Sequence, residues 1–368
     1  MKPVTEFRNA KHMRGLLNRL EKEIHEPLTI MEVCGGQAHS IMRYGIDRLL
    51  PEGMTLVHGP GCPVCVTPEE IIDHALAIAR QPDVIFCSYG DMLRVPGRQG
   101  NLLQAKAEGA DVRVLYTPLD LLALAESNPA KKLVFLAIGF ETTAPAHAMV
   151  LAKARQKNIR NLYFLVAHRL VPPVMRHILA QRECGINGFL AAGHVCAVTG
   201  YTQYHQLARD YHVPIAVTGF EPLDILLGLL ACATLHRKRE AAVINPYSRA
   251  VRELGNSHAQ AAMDEVFVTA DVSWRGLGMI PGSGLRLAEA YRDFDASERF
   301  DWAGEARADE EPCQAGKILL GLIKPPDCPH FGKLCQPTHP LGAPMVSSEG
   351  ACAAYHMMRQ SSSSVEGL

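Results

Sequence analysis

The chain has 368 residues, enough for two or three domains at ~150 residues each. Its 37 Lys and Arg against 38 Asp and Glu leave a formal charge of −1, so no basic excess points to nucleic acid or anionic lipid and no acidic excess to a solvating tail. At 48% hydrophobic and 20% charged residues, disorder is excluded for most of the length.

Residues 6–26 predict an amphipathic helix, with Met13, Leu16, Leu17 and Leu20 spaced by three and four. Lys11, Arg14, Arg19, Glu21 and Glu23 leave no apolar core for a secretory signal in this stretch. Short apolar runs follow at Leu28–Val33, Thr55–His58, Val84–Ser88, Val112–Tyr116, Leu133–Ile138, Leu162–Ala167, Gly188–Ala192 and Pro214–Thr218. Helix-period segments separate them: Pro68–Arg80, Pro118–Glu126, Ala144–Lys157, Val171–Arg182 and Pro222–Arg239. Such alternation predicts βαβ units with mostly parallel sheets through about residue 240, and ligands beyond the carboxyl ends of the strands. The most apolar stretch, Val213–Leu235, is broken by Glu221, Pro222 and Asp224, so no transmembrane helix is expected. We expect a soluble cytoplasmic protein.

An internal echo pairs Ile138-Gly139-Phe140-Glu141-Thr142-Thr143 with Thr218-Gly219-Phe220-Glu221-Pro222. Each sets a Glu between a strand end and a helix start, where it either complements the helix dipole or faces a shared cleft. Beyond residue 240, Asn245–Met263 predicts a helix, Glu265–Thr269 a strand and 276–284 a glycine-rich loop. From Pro312 onward Pro, Gly and Cys dominate, and the Ser361–Ser364 tail is expected to be disordered.

Eleven cysteines are unusual for a chain without an export signal, and their positions sort them. Cys34-Gly35-Gly36 ends the first strand, ahead of a helix expected to start near Ser40, with His39 close by. Cys34 is either a small buried hydrophobe or a thiol activated at that helix start. Gly59-Pro60-Gly61-Cys62-Pro63-Val64-Cys65 is a Cys-x-x-Cys redox or metal pair before a helix marked by Thr67, Pro68 and Glu70 as a capping box. Cys313, Cys328, Cys335 and Cys352 form C-x14-C-x6-C-x16-C in a segment without a core of its own. Four thiolates bind zinc or an iron–sulfur cluster, and the absence of tight knuckles favours [4Fe–4S] over zinc. Cys87 and Cys232 lie in apolar runs and read as core. Cys184 reads as a loop thiol, and Cys196, beside His194, is unassigned. P-loop, H-E-x-x-H and G-x-S-x-G patterns are missing.

Taken together, Cys34-Gly35-Gly36, 59–65, Gly139–Thr143, Gly193-His194-Val195, Gly282-Ser283-Gly284-Leu285, Met345–Tyr355 and the terminal cysteines resemble the HypD hydrogenase maturation factor family over nearly the whole chain. The resemblance implies two Rossmann- or thioredoxin-like α/β domains around a cleft and a C-terminal iron–sulfur domain. The boundaries expected are an N-terminal helix 1–30, α/β domains 31–130 and 131–240, and a cluster domain 241–368. It implies a redox-active scaffold that assembles the Fe(CN)2CO group of [NiFe]-hydrogenases with a HypC-type chaperone and a HypE-type cyanide donor. Under it Cys34 ligates the transient Fe(CN)2CO iron, and Cys62 and Cys65 exchange electrons. Cys313, Cys328, Cys335 and Cys352 hold a [4Fe–4S] cluster, while His39, Glu141, Thr142, Thr143 and His194 line the cleft. The family's CGG-His-Thr-His reads here with Gln37 and Ala38 before His39, and Cys196 replaces a common Ser. Whether such a scaffold turns over a free substrate as an enzyme is left open by the sequence. The competing expectations are an iron–sulfur dithiol/disulfide oxidoreductase and a zinc-stapled α/β binding protein.

Overall fold

The computed structural model describes residues 4–302, 304 and 313–363. Among the described residues there are eleven strands: β1 (Leu28–Glu32), β2 (Met54–His58), β3 (Val84–Ser88), β4 (Val112–Val114), β5 (Lys132–Gly139), β6 (Leu162–His168), β7 (Gly188–Ala192), β8 (Ile215–Thr218), β9 (Val243–Ile244), β10 (Phe267–Trp274) and β11 (Gly278–Leu287). Nine of them build two parallel sheets, ordered β2-β1-β7-β8-β9 and β4-β3-β5-β6, while β10 and β11 form an antiparallel pair. The α/β expectation is met. All eight apolar runs are strands, because their Val, Ile, Leu and Phe side chains are covered on both faces.

The chain does not fill one sheet and then the next. The first sheet takes strands from 28–58 and 188–244, and the second takes 84–168 as one block. Residues 130–131, the expected domain boundary, therefore fall inside the second sheet, between β4 and β5. Of the expected 241–368 unit, helix Ser257–Val266 and the segment to Phe300 pack on the second sheet through Met263, Val266, Phe267, Tyr291 and Phe294. The β10–β11 pair joins both halves, with Leu285 and Leu287 against Phe135 and Phe164 and with Trp274 and Ile280 in the core around the first sheet. Only the segment from Ile318 to Tyr355 forms a separate small core.

Helix Ala10–Glu21 starts after Asn9, whose side chain accepts from the Lys11 and His12 amides. It buries Leu20 against Leu226 and Leu229 of helix Pro222–Lys238. Several local expectations are corrected. The helix after β1 begins at Gly35 rather than near Ser40, which makes Cys34 its N-cap. Thr67 does not cap the next helix: its hydroxyl donates to the Pro63 carbonyl and closes a short turn, Pro63–Val66, so the capping box is not formed. The helix expected over Asn245–Met263 is confined to Ser257–Val266, because Pro246 and Gly255, at φ +68°, interrupt its first half. The glycine-rich run 276–284 is mostly strand β11, with a bulge opposite Asp271. A C-terminal helix, Ala351–Ser363, has no counterpart in the expected elements; it runs through most of the serine tail, and Ser364 lies outside the described residues. Among the described residues no helix is long and apolar enough to cross a membrane.

Candidate functional site

In the first sheet β1 leads outward to β2, while β7 leads the other way to β8, so the strand order reverses between β1 and β7. A crevice opens at such a point beyond the carboxyl ends of the strands. Cys34 and His194 each stand two residues past the ends of those strands, and Cys34 Sγ lies 3.6 Å from His194 Nδ1. Cys34 is buried in an extended conformation at φ −151°, with its N–H donating to Glu32 Oε2 at 2.7 Å. Burial, and then the Glu32 carboxylate, raise its thiol above the ordinary range, while the backbone amides of Gly36 and Gln37 pull it down. Burial pushes His194 down to about 4, so its imidazole is neutral near pH 7.

Glycine is required around this thiol. A Cβ on Gly61 would lie 2.1 Å from the Cys34 nitrogen, and one on Gly35 2.6 Å from Glu349 Cβ. The close approach is fixed by Gly35 N–H donating to the Gly61 carbonyl at 2.8 Å. Beneath the loop lies a polar pair that sequence reasoning missed. Glu32 Oε1 is 2.7 Å from His58 Nδ1, both side chains are buried, and the His58 ring meets Tyr355 edge-on at 5.4 Å. No sequence signal joins them: Glu32 and His58 are the last residues of two parallel strands and stand in register only once those strands pair. Gln37 is also buried, its Nε2 donating to the Ala191 and Thr218 carbonyls and thereby tying the helix start to the ends of β7 and β8.

Cys62 and Cys65 are joined by a disulfide, and the Cys65 N–H points at Cys62 Sγ at 3.2 Å. They pack against Ile138 and Ala167 at the carboxyl end of the second sheet. A small internal cavity is shared by this pair, Glu32, Gly35, Glu349 and Ala351, so the disulfide lies between the Cys34 loop and the helix that carries Cys352. The four terminal cysteines meet at one locus. Burial raises the Cys352 thiol, and Cys313, Cys335 and Cys328 each raise it further. Cys335 Sγ accepts from the Leu341 N–H at 3.4 Å, and Ile318, Phe331 and Met345 pack around the group. Among the described residues no three His, Cys, Asp or Glu side chains are drawn together tightly enough to hold a single metal ion.

The remaining expected cleft residues divide. Glu141 is buried; its Oε1 accepts from the Val171 N–H at 2.8 Å, and burial pushes it up to about 7. Its neighbour is Cys196, itself pushed up to about 12 by burial and by Glu141. Thr143 serves the backbone, donating to the Phe140 carbonyl, and Gly139, at φ +150°, leaves room for its hydroxyl. Thr142 is half-buried beside it. Half-buried His39 acts on Glu349, lowering that carboxyl against the upward pull of burial and Asp91. In the echo motif the two glutamates do different jobs: Glu221 takes Arg8 in two bonds of 2.6 and 2.8 Å, whereas Glu141 grips a neighbouring helix start.

The α/β fold thus brings a buried, glycine-cleared thiol to a strand-order reversal, with the Cys62–Cys65 disulfide beside it and four terminal cysteines beyond. The profile described as "HypD: Hydrogenase formation hypA family" matches residues 10–359. The chain is 47% identical over 354 residues to the hydrogenase maturation factor HypD of Escherichia coli strain K12, covering 96% of this chain and 95% of the relative. It is 45% identical to HypD of Rhodobacter capsulatus (96% and 97% covered) and 44% identical to HypD of Azotobacter vinelandii (97% and 96% covered). The chain belongs to the HypD family of hydrogenase maturation factors.

Proposed function

We propose that this chain acts in [NiFe]-hydrogenase maturation as a redox-active scaffold on which the Fe(CN)2CO group is assembled. It works with a HypC-type chaperone and accepts cyanide from a HypE-type donor. The observation that carries the reading is the Cys34–His194 pair at the strand-order reversal, next to the Cys62–Cys65 disulfide. Low-spin iron bearing cyanide and CO is soft and wants a thiolate. Iron binding displaces the Cys34 proton to solvent, the Gly36 and Gln37 amides stabilise the thiolate that remains, and neutral His194 Nδ1 stands 3.6 Å from the sulfur. The iron is cargo, carried by Cys34 until it is handed on.

The four terminal cysteines fit a resident [4Fe–4S] cluster. Their donors are all sulfur, and such a cluster spreads its ligands around a cube-like core, wider than the shell of one ion. Cys313, Cys328, Cys335 and Cys352 would hold it, and when bound it supplies electrons singly. The Cys62–Cys65 disulfide takes up two electrons and two protons to become a dithiol, which is the store nearest to Cys34. Glu32 and His58 brace the Cys34 amide from below.

Co-purification with a HypC-type partner, followed by infrared spectroscopy for bound cyanide and CO, tests the reading. The bands should appear with the native chain and vanish with Cys34→Ala. Bands that persist in that variant would show that Cys34 does not carry the iron; intact dithiol exchange alongside them would favour a disulfide oxidoreductase.

A further inference from the structure

Cys34 is only 1% exposed, so neither a metal complex nor a partner's thiol reaches it until a cover moves. His194 Nδ1 lies 3.6 Å from the sulfur, and three further groups pack on the Cys34-Gly35-Gly36 turn. Gly61 does so with backbone locked to the Gly35 amide, and Glu349 lies with its own backbone against Gly35. The third cover is a side chain. The Phe220 ring lies over Gly36, 3.2 Å from where a Cβ would stand, and its centroid is 5.2 Å from that of His194.

Phe220 is half-buried in the short link between β8 and helix Pro222–Lys238. The next residue, Glu221, is held by Arg8 from the N-terminal turn Val4–Arg8. The same turn is fastened once more: Arg249 lies 4.1 Å from the Phe7 ring and 4.4 Å from that of Tyr247, and forms two bonds of 2.7 and 2.6 Å to Asp224. Tyr247 in turn lies against Gly193 and Gly219, beneath the His194 loop. A segment more than two hundred residues away in sequence thus anchors the loop that shields the sulfur.

Resting on the reading that Cys34 is the iron ligand, we propose that Phe220 is the gate of the Cys34 site and that the Arg8–Glu221 ion pair holds it closed. Loading requires the ring to swing off Gly36 and His194, and breaking the ion pair frees it to do so. Phe220 is a positioning residue that sets when the sulfur is open.

The test needs no iron. The full-length protein is treated with iodoacetamide, and labelling of the Cys34 peptide is timed by mass spectrometry, with fully buried Cys87 and Cys232 as internal controls. Arg8→Ala should speed Cys34 labelling about two- to fivefold, the range an exposed ion pair supports. Phe220→Ala should speed it further, and Phe220→Tyr should restore the slow rate. Raising the ionic strength should accelerate the native protein but not Arg8→Ala, because the pair is screened. Unchanged labelling in both alanine variants overturns the gate, as does an acceleration that Cys87 and Cys232 share. Infrared bands that survive Cys34→Ala would overturn the iron assignment instead, whatever the labelling rates.

Discussion

Around Cys34 the small residues carry as much of the argument as the reactive ones. Gly61→Ala is expected to cost about 2–3 kcal/mol, because the added methyl would meet the Cys34 backbone and nothing there can relax; urea unfolding measures it. Glu141 makes a second prediction. Its folded carboxyl titrates at about 7 against an ordinary 4.5, so the protonated form is the one folding favours. Its contribution is whole below pH ~4.5 and is lost as pH rises through 7, a swing of about 3 kcal/mol. Glu141→Gln, neutral at every pH, should gain on the native protein between about pH 5 and 8, and parallel stability curves would refute this. The cysteines were legible in the sequence because spacing and neighbouring glycines mark them. The Glu32–His58 pair was not, since its two members are joined only by the register of strands that meet after folding. Gln37 was seen only as a departure from the family's His; its burial and its bonds to β7 and β8 depend on where those strands run.

Elements with strong periodicity were read well. Helix Pro222–Lys238 and strand Val84–Ser88 needed only their apolar runs and flanking turn residues. Two of the failures share a cause, which is glycine outside its usual place. Gly35 and Gly36 argue against a helix, yet one starts there because the adjacent backbone leaves no space for larger residues. In β11, Gly278, Gly282 and Gly284 mask a strand that pairs with β10; Gly284 sits where a Cβ would strike Val272 and come within 2.9 Å of the His168 carbonyl. Capping is the test at this scale. Asn9→Ala removes the acceptor for the Lys11 and His12 amides and should cost about 1 kcal/mol. Because Asn9 adjoins Arg8, the same variant should also raise Cys34 labelling modestly. A drop in melting temperature with unchanged labelling would confine its role to the helix.

For the whole molecule, the α/β class was legible but the allocation of strands was not, because apolar runs do not state which run they will pair with. That β1 would lie beside β7 rather than β3 is decided by packing between distant segments. The carboxyl-terminal end has little core of its own, and the proposed cluster would stand in for one. Ile318, Phe331, Cys335, Met345, Ala351 and Cys352 form a cluster too small to be stable alone. Cys352→Ala is therefore expected to lower iron content and to open residues 313–363 to protease, and unchanged iron and digestion would refute it. The interleaved sheets also dictate an order of manufacture. As the ribosome releases the chain, residues 84–168 can complete their sheet by themselves, whereas β1 and β2 must wait for β7 and β8 to emerge. His194 and Phe220 arrive in that later portion, and Glu349 later still. A nascent chain thus has the sulfur of Cys34 before the residues that enclose it, so the enclosed thiol exists only after Glu349 has emerged. Translation itself delays the closing of this site until both sheets and the segment carrying Glu349 are in place.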